Sequence, residues 1–188
     1  MRQIIKWIGL IIIVIEIITT ATQIIEYNSL ASKNTRQLER SLISKNIADG
    51  KVSNLISFNY DKMYVFEPYQ SVDKMEKQIG FKYSKLQEGI DEGIINILFV
   101  KDNKAIAYLF GYSVNNGYFI KIPSGEYTKA LVDKMTYKME NREVGNSYGT
   151  PRTYMDYEFS IEKGKKLLLL GHLKFHIILT SFRVLLIN

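Results

Sequence analysis

The chain has 188 residues, 46% of them apolar, a formal net charge of +6 and no cysteine. Such a length suits one core of about 100–150 residues plus an appendage, and the apolar share argues against disorder throughout. The missing cysteines exclude disulfides, thiolate zinc sites, Cys nucleophiles and Cys lipidation. Lysines interleaved with Asp and Glu, as in KDNK and DKMEK, predict a solvated surface and no nucleic-acid partner, because no basic element or reading module gathers them.

The start, MRQIIKWIGLIIIVIEIITTATQII, carries two cations, Arg2 and Lys6, ahead of a long apolar run. Spanning a bilayer takes about 20 residues, and residues 4–25 include 13 Ile, Leu or Val side chains. Each contributes about −0.3 to −0.6 kcal/mol near the centre, against about +2.5 to +3.5 for a central charge such as Glu16. The sum favours insertion, and a poor cleavage site at Thr19-Thr20-Ala21 favours a retained signal anchor over a removed peptide. Arg2 and Lys6 predict a cytoplasmic N-terminus and an extracytoplasmic remainder.

Residues 29–50 have Leu38 and Leu42, with Ile43 and Ile47, as i,i+4 apolar pairs, which predicts a helical stalk over 26–50. FNYDKMYVFEPYQS (58–71) alternates with period two, predicting a strand with Phe58, Tyr60, Tyr64 and Phe66 on one buried face. Pro68 stops the ladder. Ser71 is the expected N-cap of a short helix with Val72, Met75 and Ile79 on one stripe and Gly80 at its end. INILFVKDNKAIAYLFGY (95–112) reads as a hairpin turning at Asp102-Asn103. GYFIKI (117–122) adds a third strand of an antiparallel meander, and Tyr127, Leu131, Met135 and Met139 predict a helix over 124–143. After the loop GNSYGTPRT (145–153), Met155, Tyr157, Phe159 and Ile161 alternate with an acidic outer face. The tail LLLLGHLKFHIILTSFRVLLIN reads as closing strands or as an adventitious extension from a shifted frame.

Little here points to catalysis. His172 and His176 lack the further ligands zinc needs, so no metal and no cofactor is expected. No G-x-S-x-G elbow and no phosphate-binding loop is present. Asp61 and Glu67 share strand parity, but six extended residues hold them about 20 Å apart, too far for a common reaction centre. The residues lean against an enzyme.

Phe58, Tyr60, Asp61, Tyr64, Phe66, Pro68 and Tyr69, followed by Gly80-Phe81 and Phe99-Val100-Lys101-Asp102, give the middle of the chain a pattern. Residues 52–112 resemble a group of uncharacterised small membrane-anchored or lipoprotein-like proteins of Firmicutes and related bacteria. The resemblance implies an envelope location and carries no activity. Tyr60 stands where that pattern more often has Trp, and the tail beyond Lys163 departs from it.

The expectation is therefore an α+β protein with an antiparallel sheet of four to five strands and helices on one face. Its parts are a signal anchor (1–25), a stalk (26–50), an extracytoplasmic domain (51–163) and the tail (164–188). The expected role is non-enzymatic binding of an envelope protein or an anionic wall polymer, through Asp61, Glu67, Tyr69 and Tyr148. An enzyme of unrecognised type, or an immunity- or inhibitor-like protein, is the alternative.

Overall fold

The structure is a computed structural model that describes residues 2–27, 29–44, 49–144 and 152–161. Tyr148, the two histidines and the tail of the sequence analysis lie outside the described residues.

Helix α1 (Arg2–Tyr27) takes up the apolar start. Its segment Trp7–Glu26 is 20 residues long and apolar enough to cross a membrane, and none of these residues is buried. Helix α2 (Leu30–Ile43) follows, capped by Ser29, whose Oγ accepts the Ser32 amide hydrogen at 3.2 Å. The stalk reading changes here. Asn34, Leu38 and Leu42 form an i,i+4 stripe that is buried, and the two leucines belong to the main core. α2 is thus packed on the domain.

Among the described residues, eight strands form two four-stranded sheets, in place of the single sheet of four to five strands expected. β4 (Lys104–Tyr112), β3 (Ile94–Lys101), β2 (Lys62–Val65) and β6 (Gly125–Thr128) make the first sheet, in that order. β1 (Gly50–Lys51), β7 (Met135–Val144), β8 (Arg152–Ile161) and β5 (Tyr118–Lys121) make the second. All pairings are antiparallel except β5 with β8, which is parallel. The meander breaks after β4. Residues 113–116 form one helical turn, α4 (Ser113–Asn116), ended by Gly117 at φ 78°, and the chain is redirected to the second sheet. A left-handed φ at that point needs glycine.

The main core lies between the sheets. Met63, Val65, Ile97, Phe99 and Leu109 meet Tyr118, Met135, Tyr137, Tyr157 and Phe159 there. A second cluster packs Tyr64, Phe66, Leu98 and Val100, on the other face of the first sheet, against Met75 and Ile79 of α3 (Val72–Ile79). β2 and β3 are therefore covered on both faces, which explains the unbroken apolar run ILFV. The helices do not share one face as expected: α3 covers the back of the first sheet, while α2 runs along its edge.

That edge position has a physical reason. β4 is a terminal strand, and an exposed strand edge invites pairing with other chains. The Asn34 amide donates to the Ile106 carbonyl at 2.9 Å, and the Tyr108 amide donates to Thr35 Oγ1 at 3.0 Å, so α2 side chains occupy the edge. From the second sheet, Tyr157 Oη donates to the Leu42 carbonyl at 2.8 Å, at the helix C-terminus where carbonyls lack partners.

The helix expected over 124–143 is instead β6, a short helix α5 (Lys129–Val132) and β7. A spacing of four residues returns to one side of a helix and equally to one side of a strand. Met135 and Tyr137 are buried and Met139 packs against them, while Lys138 and Glu140 are exposed, so strand parity prevails. The aromatics of 58–71 also divide. Phe58 and Tyr60 pack edge-to-face on Phe99 in the main core, with ring centroids 5.4 and 5.2 Å away, whereas Tyr64 and Phe66 face α3. The strand begins only at Lys62, so parity is not carried through Asp61.

Candidate functional site

β2 ends at Val65, and the chain turns through Glu67, Pro68, Tyr69 and Gln70, the Gln70 amide donating to the Glu67 carbonyl at 3.3 Å. Pro68 suits the second position of such a turn. Tyr69 occupies the third with φ 61°, a left-handed conformation that type II turns normally assign to glycine. For a bulky residue this costs about 1–2 kcal/mol. The surroundings hold it there. The Tyr69 amide donates to the Gly89 carbonyl at 2.6 Å, and the Glu67 amide donates to Gln70 Oε1 at 3.1 Å. Gln70 Nε2 in turn donates to Gln78 Oε1 on α3 at 3.0 Å.

The ring so positioned is 68% exposed, although it is an aromatic side chain in a well-tied turn. Beside it lies a hollow of about 320 Å³, walled by Glu67, Pro68, Gln70, Lys74, Gln78 and Ser124 among others. Two amides, one carboxylate and one ammonium group thus line the hollow together with Tyr69. A larger groove of about 520 Å³ adjoins it, sharing Val65, Pro68 and Ser124 as walls. The groove is lined by apolar side chains such as Ile95, Ile97, Phe119 and Ile122, with Glu92 and Lys121 also in its walls. It runs beside β5, the last strand of its sheet, to whose outer side no strand pairs among the described residues.

Of the sequence-predicted residues, Glu67 and Tyr69 are brought together at this site. Asp61 sits at the far end of β2, where its Oδ2 accepts the Asp102 amide hydrogen at 2.9 Å. Asp61 and Glu67 therefore share no pocket. Tyr148 falls outside the described residues. Lys74 and Gln78 were missed, although their i,i+4 spacing places them on one face of α3, beside the turn.

Two other polar groups lie within the fold. Asn96 is buried and fully engaged: its Nδ2 donates to the Gln87 carbonyl at 3.0 Å, and its Oδ1 accepts Tyr108 Oη at 3.0 Å. Asp156 on β8 is 5% exposed, and its Oδ2 meets Arg142 Nε at 2.6 Å and Lys121 Nζ at 3.1 Å. Its Oδ1 is buried without a hydrogen-bond partner among the described residues. No cluster of three or more metal-ligating side chains occurs among the described residues.

No family model, no curated protein and no solved structure matches the chain.

Proposed function

We propose that this chain is a membrane-anchored binding protein whose domain lies outside the cytoplasm and captures an extended polypeptide segment of an envelope partner. The observation that carries the binding reading is Tyr69. An aromatic ring held exposed at a costly backbone angle is a feature that folding alone does not favour, and such strain collects at ligand-binding positions. The adjoining groove supports a polypeptide ligand. It has apolar walls for alternate side chains and a strand end position at β5 to which an extended backbone could add. The apolar α1 supports the anchor, and Arg2 and Lys6 support the N-terminus-inside orientation.

A photoreactive phenylalanine in place of Tyr69, in full-length protein in cells, tests the site. The expected result is one discrete, protease-sensitive adduct, absent when the same group replaces the exposed Lys138 on β7. Equal adducts at both positions, or a protease-resistant glycan adduct, would overturn it. Orientation is read separately by a single cysteine at Lys104, exposed beside the β3–β4 turn. Labelling by a membrane-impermeant maleimide in intact cells is expected, and labelling only after lysis would reverse the topology.

A further inference from the structure

Helix α1 is not uniformly apolar. At about 100° per residue, Gly9, Glu16, Thr19, Thr20 and Gln23 fall within an arc of about 100°, and of the polar side chains between Trp7 and Ile25 only Thr22 lies outside it. The spacing of the last four is i, i+3, i+4 and i+7, the pattern of one helix face. The opposite face is Ile, Leu and Val, with Trp7 and Ala21 among them. The two threonines are already satisfied: Thr19 Oγ1 and Thr20 Oγ1 both donate to the Glu16 carbonyl, at 3.0 and 2.7 Å. The Glu16 carboxyl and the Gln23 amide have no side-chain partner among the described residues, and the domain does not cover this segment.

The geometry points to a second copy of this chain as the occupant of that face, forming a parallel helix pair in the membrane. This rests on the anchoring proposed above. Its basis is self-complementarity. In a two-fold pair each residue meets its own counterpart. A primary amide is donor and acceptor at once, so Gln23 can bond Gln23, and in the same register the two Glu16 side chains face each other and not lipid. Inside hydrocarbon, polar side chains of this kind hold helices together, and a small residue such as Gly9 lets two backbones approach. An acidic side chain at the middle of a span is costly when it faces lipid, and it usually faces another helix. The Ile-rich opposite face suits lipid.

The cysteine-free chain makes the test direct. Single cysteines are placed in the full-length protein at Ile12 and Thr19, on the polar face, and at Ile11 and Ile18, on the other. Oxidation in native membranes is expected to give at least fivefold more disulfide dimer from the first pair. In the Ile12→Cys background, Glu16→Leu with Gln23→Leu is expected to lower dimer several-fold while the chain stays in the membrane after alkaline extraction. Glu16→Gln, which is polar and carries both a donor and an acceptor, is expected to retain it. Equal cross-linking from both faces would overturn the pair. Loss of dimer with Glu16→Gln would also overturn it, because that result requires a charge and hence a basic partner helix. Release of the unmodified chain by alkaline extraction would instead remove the anchor itself, and the pair with it.

Discussion

The Asp61 carboxylate accepts the amide hydrogen of Asp102, 41 residues away in sequence, at 2.9 Å. Asp102 and Asn103 both adopt left-handed angles, φ 49° and 55°, as a two-residue hairpin turn of this hand requires. The side chain therefore fastens the β3–β4 turn to the start of β2. Replacing Asp61 by Ala is expected to lower stability by about 1 kcal/mol, and Asn, which retains an acceptor, by less. Urea unfolding midpoints measure this. An Asp61→Ala chain with unchanged stability and a lost Tyr69 adduct would instead place Asp61 in the binding surface.

Tyr69 separates strain from recognition. Tyr69→Ala keeps the left-handed cost and Tyr69→Gly removes it, so the glycine variant is expected to be the more stable by about 1 kcal/mol. Both lose the exposed ring, and both are expected to lose partner capture. Partner capture retained by a stable Tyr69→Gly chain would count against the site.

The charges around Asp156 predict an asymmetry. Arg142 and Lys121 are roughly half exposed, so they turn to water when Asp156 is replaced by Leu, and the cost is small. Arg142→Met leaves a buried carboxylate with one cation fewer and is expected to cost about 1–3 kcal/mol. Thermal unfolding of the two variants decides this, and the reverse order would refute the reading.

Alkaline stability follows from the tyrosines. Burial pushes the phenols of Tyr108 and Tyr157 each up to about 12, and burial raises Tyr60 and Tyr118 further. Above the ordinary phenol value of about 10 the unfolded chain releases protons that the folded one keeps. The stability these groups contribute is thus complete below about 10 and is lost as pH rises through about 12. Tyrosinate absorbance and circular dichroism are expected to change together in that window. A gradual absorbance rise with the fold intact would show that these rings ionise in place.

Several elements were legible because a single signal dominated. The apolar start, the Asp102-Asn103 hairpin and the helix ended by Gly80 each carried one unambiguous pattern, and Gly80 indeed sits at φ 84°. The misreading of 124–143 came from an ambiguous period. Four-residue spacing in 127–139 satisfied helix and strand alike, and only tertiary pairing of β7 with β8 decides between them. The parity break at Asp61 depends on a hydrogen bond from a turn 41 residues on, which no local window contains. At the candidate site, Glu67 and Tyr69 were visible as polar and aromatic residues after a strand. The left-handed angle of Tyr69 was not, since it is imposed by Gly89 and Gln70.

The packing of α2 has a consequence for reach. Only a short joint separates it from α1, where the Ser29 amide donates to the Glu26 carbonyl at 3.1 Å and Lys85 pairs with Glu26. With α1 in a bilayer, the domain would have no tether to pay out and would rest against the lipid headgroups. Its working radius would be its own diameter, on the order of 35 Å for a domain of this size. A partner would have to come to the membrane surface to be met, so the protein would survey a thin layer beside the bilayer and not the space beyond it.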